Sequence, residues 1–367
     1  MLPVLSEGVL EKGVMGIMGA MCRVWTYVLG VALRASVRFS VCVWFGAAYV
    51  LVAPALSIRD VGTIVDPVGC PEGLSGITYA GGTQYYAVSD SDGLLSPINI
   101  AVDLATGAIT STVFDAAITL GGTDLEGVAY NPVRNSVWVS DETGATIKEY
   151  SLSGVLLETV AVPGVFKSYR PNFSLESLTV RGDGLELWTC NEEALFNAET
   201  GVDDGPLSTA LTGTVVRLQR FARGSVHGVW GAEGQWAYVT EPYGADNPYV
   251  TEERSGVSDL CVLPDGTLLV LERRLGGVKI PTFTSSIFQV DFSGATDVSD
   301  ILSLNGATYT CVAKKELWSR NFSMAFNFEG IALGPKLENG AFSLILIADG
   351  GSPQVNALHA LMLTLGR

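Results

Sequence analysis

Histidine is almost missing from this chain: 367 residues hold two, His227 and His359. That leaves little room for chemistry that relies on imidazole. There is no H-E-x-x-H zinc helix, no G-x-S-x-G nucleophile elbow and no Walker phosphate loop. A Ser–His–Asp hydrolase would need one of the two histidines, and no motif supports either. His359 lies in an apolar run, where a packed ring is expected rather than a base. Positive charge is also scarce, with 22 Lys and Arg against 38 Asp and Glu, a net charge of −16 at pH 7. Nucleic acid rewards clustered cations, so it is excluded as a partner. None of the six cysteines is in a C-x-x-C pair, which argues against a structural zinc site. Convincing helical periodicity is absent beyond residue 60.

What is present begins with a distinct leader, residues 1–55. Phe39 to Ala55 is apolar, follows Arg34 and Arg38, and ends in Ala53-Pro54-Ala55. A basic stretch, an apolar core and a small-residue site read as a secretory signal, with an uncleaved anchor over residues 39–55 as the alternative. Either reading implies export, to a periplasmic or extracellular location, with membrane contact only through an uncleaved leader. Beyond residue 55 the balance is 18 basic against 36 acidic residues, a surface compatible with divalent cations. Cys70, Cys190, Cys261 and Cys311 follow the leader and allow two disulfides in three pairings. For Cys190 and Cys261, which fall in expected strands, buried thiols are the alternative.

From residue 60 on, short β-branched and aromatic runs alternate with Gly, Asp, Asn and Pro. Examples are Ser136–Ser140, Leu185–Thr189, Thr267–Leu271 and Leu344–Ala348. This is an all-β pattern. A phrase then repeats within it: Leu125-Glu126-Gly127-Val128 and Phe328-Glu329-Gly330-Ile331, with variants at Leu175-Glu176-Ser177-Leu178, Ser258-Asp259-Leu260-Cys261 and Leu74-Ser75-Gly76-Ile77. The openings at 75, 126 and 176 are 51 and 50 residues apart, a blade-sized period. A single β-propeller over residues 56–367 is therefore expected. Five repeats can be counted, and six blades is the preferred number. Residues 227–241 are either a sixth opener or the outer strand of the third blade. The segment around Val61–Val65 should close the ring, which removes exposed edges. Glu193–Gly213 and Ser303–Asn327 read as insertions over one face.

First strands line a propeller's channel, so a carboxylate kept at one register should converge at its mouth. That register is expected to hold Glu126, Glu176, Asp259 and Glu329. Four such carboxylates repel one another unless a cation sits among them. Ca²⁺, which takes a loose cage of oxygens, is the expected ion, with these four as its ligands. Asn172 and Asn327 could add amide oxygens. The alternative is a blade-packing device, the carboxylates accepting backbone hydrogen bonds. A second register ends the second strands, at Asp90, Asp141, Asn191-Glu192, Glu272-Arg273 and Asp349. Asp141, Glu192, Glu272 and Asp349, with Arg170 and Asn172, are candidate substrate contacts. Arg273 and Arg170 could hold an anionic group, or pair with the carboxylates.

Four segments resemble the phytase-like, "esterase-like activity of phytase" family of exported propellers. They are Arg170-Pro-Asn-Phe-Ser-Leu-Glu-Ser-Leu, Gly256-Val-Ser-Asp-Leu with the run ending at Arg273, Asn327-Phe-Glu-Gly-Ile-Ala, and Asp124-Leu-Glu-Gly-Val-Ala. The resemblance spans about residues 65–365. It implies a propeller and hydrolysis of a small-molecule ester or phosphoester assisted by a divalent ion. In that reading Glu126, Glu176, Asp259 and Glu329 are ligands or a general base, and Arg273 holds the substrate's anionic part. The chain departs from the family pattern where Ser follows Glu176 and Gly follows Asp349, and it lacks the Asp-rich motif of true β-propeller phytases. The alternative function is a non-catalytic propeller that binds a ligand or protein and keeps Ca²⁺ for rigidity.

Overall fold

The computed structural model describes residues 55–246, 253–277, 280–323, 325–350 and 354–366. The leader expectation therefore falls outside the described residues, apart from Ala55. The described residues form a propeller of five blades, each built on four antiparallel strands, with Ile118–Thr119 added to the first blade and a separate two-stranded ribbon at Phe196–Asn197 and Val202–Asp203. Blade 1 comprises Leu74–Gly81, Gln84–Ser89, Leu94–Val102 and Ile109–Phe114. Blade 2 comprises Leu125–Asn131, Ser136–Asp141, Thr146–Ser151 and Leu156–Val160. Blade 3 comprises Leu175–Val180, Glu186–Asn191, Val215–Ala222 and Gly231–Val239. Blade 4 comprises Arg254–Val262, Leu268–Gly276, Thr282–Asp291 and Ala313–Ser323. Blade 5 takes Asn327–Lys336, Phe342–Asp349 and Ala357–Thr364, and its fourth strand is the N-terminal Ser57–Val65.

The blade number corrects the expected six. Residues 231–239 pair with 215–222 as the outer strand of blade 3, so no sixth blade opens there. Ser303–Asn327 is not an insertion throughout, because its Ala313–Ser323 pairs with Thr282–Asp291 as the fourth strand of blade 4. Ring closure by the N-terminal strand is as expected, with Ser57–Val65 antiparallel to Ala357–Thr364.

Turn chemistry explains why the first two strands of four blades fold back where they do. Asn131 Oδ1 accepts the Val133 N–H, Asp183 Oδ1 that of Leu185, Asp265 Oδ1 that of Thr267, and Asn339 Oδ1 that of Ala341. Each is a side chain standing in for a backbone turn bond. Aromatics fill the wedges between blades. Trp138 meets Trp230 edge-on at 5.5 Å between blades 2 and 3, and Trp188 packs on Trp236 and Phe292 between blades 3 and 4. Cys70, Cys190, Cys261 and Cys311, the four cysteines among the described residues, are free thiols, Cys190 and Cys261 buried.

His359, one of the two histidines, belongs to the closure. It is buried, and its Nε2 lies 2.7 Å from Asp60 Oδ1 and its Nδ1 2.6 Å from Thr63 Oγ1, both on the closing strand. Asp60 also accepts from Trp318 Nε1 and Arg320 Nη1 of blade 4. One half-exposed carboxylate thus ties the N-terminal strand to two blades. Asp60→Ala should cost about 1–3 kcal/mol, because it leaves buried donors unpaired; a shift of the urea midpoint at unchanged slope checks this.

Candidate functional site

The five inner strands all run from one end of the channel to the other, and the acids sit where they start. Hydrogen bonding fixes the alignment. The N–H groups of Asp90, Glu142 and Glu192 donate to the carbonyls of Gly73, Asp124 and Ser174, one equivalent bond in each of blades 1–3. In blades 4 and 5, Arg273 pairs with Gly256 and Asp349 with Asn327. Three rings of five residues therefore surround the mouth. The first is Gly73, Asp124, Ser174, Gly256 and Asn327. The second, one buried apolar residue further on, is Ser75, Glu126, Glu176, Ser258 and Glu329. The third, from the second strands, is Asp90, Glu142, Glu192, Arg273 and Asp349.

Small residues in the first ring make space for the third. A Cβ on Gly73 would stand 2.4 Å from Asp90 Oδ1, and one on Gly256 2.7 Å from Glu192 Cγ. Just past the second ring the channel closes to a neck of Gly76, Gly127, Ser177, Asp259 and Gly330. Here neighbouring strands nearly touch: a Cβ on Gly76 would lie 2.3 Å from Glu126 O, and one on Gly330 2.7 Å from Ser75 O.

The expected site residues divide accordingly. Glu126, Glu176, Glu329, Glu192, Arg273 and Asp349 are brought together at the mouth. Asp259 is not; it occupies the neck, where the other blades carry Gly or Ser. Its Oδ2 accepts the Ile331 N–H of the next blade at 2.8 Å, its Oδ1 the Leu260 N–H at 2.8 Å, and it also bonds Leu178 of the preceding blade. It is a strap across three blades. Asp141 and Glu272 each precede a third-ring residue, so strand alternation turns them away. Asp141 lies 3.9 Å from Lys148 Nζ, and buried Glu272 accepts from Tyr238 Oη, Lys314 Nζ and the Glu241 N–H. Arg170 donates to Ala194 O and Gly205 O and stacks on Phe196, pinning the loop after blade 3's second strand. Asn172 is exposed, with φ +59°, and serves the turn before that blade. Sequence reasoning missed Glu142 and underused Asp124. The 16-residue step from Glu126 to Glu142, repeated from Glu176 to Glu192, was the available signal.

Charge is distributed unevenly around the mouth. On the side of blades 4 and 5, Arg273 Nη1 donates to Glu329 and, at 3.2 Å, to Asn327 Oδ1, while Nη2 donates to Glu192. Burial opposes the Arg273 charge, but Glu329, Glu192 and Glu176 outweigh it and raise its pKa. With its fork engaged by the protein's own groups, Arg273 positions Glu192 and Glu329. On the side of blades 1 and 2, the charges that act most on Glu126 and Glu142 are all carboxylates among the described residues. There Asp124, Glu126 and Glu142 each present a carboxyl oxygen within 4.8 Å of the others.

The titrations follow this geometry. Burial, then the charges of Glu329, Glu142, Asp124 and Asp90, lifts Glu126 well above the usual carboxylate range. Glu176 is lifted likewise by burial, Glu126, Glu192 and Glu142, with Arg273 opposing. Burial pushes Glu142 to about 7 against the Ser174 N–H, and Glu329 to about 7 against Arg273. Asp90 rises to about 6 through burial and the neighbouring Asp349 and Asp124. The buried hydroxyls of Ser75 and Ser174, in the two inner-strand rings, have no hydrogen-bond partner among the described residues. Buried oxygen donors without cations suit a hard divalent ion, which would both neutralise them and fill their coordination.

No curated protein matches the chain. Among solved structures, hydrazine synthase of Kuenenia stuttgartiensis is 11% identical with a TM-score of 0.37, and the match covers 82% of this chain and 65% of that one. The WD40 propeller domain of Doa1 is 10% identical with a TM-score of 0.36, covering 83% and 96%. A luciferin-regenerating enzyme is 11% identical with a TM-score of 0.37, covering 83% and 95%. The family described as "Phytase-like: Esterase-like activity of phytase" matches residues 71–350, from just before the first inner strand to the end of blade 5's second, and the chain belongs to that family.

Proposed function

We propose that this propeller is a hydrolase of esters or phosphoesters that works at the acidic mouth with a bound divalent cation. The observation that carries the reading is the Asp124–Glu126–Glu142 group, three carboxyl oxygens within 4.8 Å on the half of the mouth that Arg273 does not reach. These three residues, rather than the four expected from sequence, would hold the ion, and Ca²⁺ fits an all-oxygen donor set. When bound, the ion supplies positive charge for a developing oxyanion and makes a nearby water more acidic.

The chain's own residues supply the rest. Glu176 is half-buried beside the three ligands and is placed to take the proton of the attacking water. Arg273 holds Glu329 and Glu192 so that neither swings into the space above the ligands. The closed neck keeps the reaction at one end of the channel. The leader pattern supports an exported enzyme.

Glu176→Gln should lower turnover of a responsive ester or phosphoester by about 10²–10⁴-fold, the usual contribution of a general base, and leave Ca²⁺ affinity intact. A panel of chromogenic carboxylic and phosphoric esters, assayed with Ca²⁺ and with chelator, provides the rate. Turnover unaffected by this substitution and by chelator would sink the reading.

One observation favours a second reading, a binding propeller whose ion is structural. All three mapped bonds of Arg273's Nη atoms go to the protein's own Glu329, Asn327 and Glu192. That reading is supported if Ca²⁺ raises the Tm while no ester in the panel is turned over.

A further inference from the structure

The inner strands end, opposite the acids, in an open funnel of about 780 Å³ walled by all five blades. The close-packed neck of Gly76, Gly127, Ser177, Asp259 and Gly330 lies between it and the mouth. Its wall combines apolar side chains such as Ile77 and Leu260 with Thr78, Thr179 and the charged Arg181, Asp183 and Asp265, a size and mixture that suit a small-molecule site. Specificity has to come from a few polar groups, and the funnel supplies them through a gap in a repeated device.

The device works between neighbouring blades. At one register, a side chain caps the channel-facing N–H of the following residue in the next blade. Thr78 Oγ1 of blade 1 accepts the Tyr130 N–H of blade 2 at 2.9 Å. Thr179 Oγ1 of blade 3 accepts the Val262 N–H of blade 4 at 3.1 Å. The Cys261 sulfur of blade 4 bonds the backbone of Leu333 in blade 5. The same register in blades 2 and 5 holds Ala129 and Ala332, which carry no acceptor. The N–H groups they face belong to Val180 and Tyr79. Alternation along the strand confirms the direction for Val180: the next N–H, of Arg181, turns the other way to Glu186 O at 2.9 Å. Two donors thus point into the funnel without the side-chain cap that their three counterparts have, and Ala129 and Ala332 widen it at the same level.

We infer that this funnel is a second ligand site, which takes a small, largely apolar molecule whose oxygen acceptor reaches the Val180 or Tyr79 N–H. An unmatched donor in apolar surroundings favours a ligand that brings the missing acceptor. The inference does not depend on the hydrolase reading.

The test uses anilinonaphthalene sulfonate, an aromatic probe with acceptor oxygens, on the intact protein. Fluorescence titration should show saturable binding. The double variant Ala129→Thr with Ala332→Thr should weaken it at least about tenfold, since threonine caps both donors and fills the space. Threonine is the native residue at this register in two blades, so the variant's Tm should match the parent's. Ca²⁺ binding at the mouth should be unchanged. In the unsubstituted protein, the probe should slow hydrogen exchange of the Val180 and Tyr79 amides. Non-saturable binding, equal affinity in the double variant, or unchanged exchange of both amides would each overturn the inference.

Discussion

Replacing Gly127 with alanine should unfold or nearly unfold the protein. An added Cβ would sit 2.3 Å from Leu178 N, 2.5 Å from Ser177 C and 2.7 Å from Ser140 Oγ, and two of these are backbone atoms of the next blade. Backbone cannot swing aside as a side chain can, so blades 2 and 3 would have to separate. Losses above about 4 kcal/mol are exceptional for a single substitution, and this one belongs there. Gly182→Ala is the control: nothing lies within 4 Å of its added Cβ, and the effect should stay within about 0.5 kcal/mol. Urea unfolding of the two variants makes the comparison. If Gly127→Ala proved as benign as Gly182→Ala, the neck would not be the close-packed ring described. Because Glu126 adjoins the neck, any Gly127→Ala protein that folds should also have lost Ca²⁺ affinity.

The second large effect is a pH-dependent response to chelation. Asp90 at about 6, and Glu142 and Glu329 at about 7, have folded pKa values above the ordinary 3.8 and 4.5 of their types, through burial first and like charge second. Glu126 and Glu176 are also raised well above the ordinary value, for the same reasons. A raised folded pKa means that the stability these groups lend is whole below the unfolded value and is lost as pH rises through the folded one. The cation-free protein should therefore lose stability as pH rises from about 4 through about 7. In the proposed reading, bound Ca²⁺ would reverse this by favouring the ionised carboxylates. At a thousandfold excess over Kd it contributes about 4 kcal/mol, or on the order of 8 °C in Tm. Chelator should thus lower the Tm far more at about pH 8 than at about pH 6. Calorimetry across that range, with Ca²⁺ and with chelator, gives the answer. Equal shifts at both ends would mean that Glu126 and Glu142 do not carry the ion.

Much of this was legible in the chain. The fifty-residue period, the turns at Asn131, Asp183, Asp265 and Asn339, and the closing strand near Val61 are local or additive signals, and they suffice for a propeller. Blade number was harder, because an outer strand such as Gly231–Val239 has the same β-branched, aromatic character as an inner one, and only pairing tells them apart. The site suffered from single-residue slips. Each inner strand carries a register irregularity just at the acid, for instance between Leu125 and Val128 and between Val257 and Asp259. A slip of one position turns a side chain to the opposite face. Counting from Glu126 at constant spacing therefore landed on Asp141 instead of Glu142, and aligning Ser-Asp with Leu-Glu put Asp259 at the mouth instead of the neck. Arg273 was legible as a cation near the acids. Its partners were not, because Glu192 and Glu329 approach it from other blades.

We propose Asp124, Glu126 and Glu142 as the cation site. Titration calorimetry with Ca²⁺ near neutral pH tests it most directly, on the unsubstituted protein, Glu142→Gln and Asp141→Asn, adjacent residues that the strand turns to opposite sides. A single ion should bind per chain, with protons released into the buffer because burial keeps Glu142 near 7. Binding should be lost in Glu142→Gln and kept in Asp141→Asn. No binding at all, or binding that survives Glu142→Gln and disappears with Asp141→Asn, would contradict it.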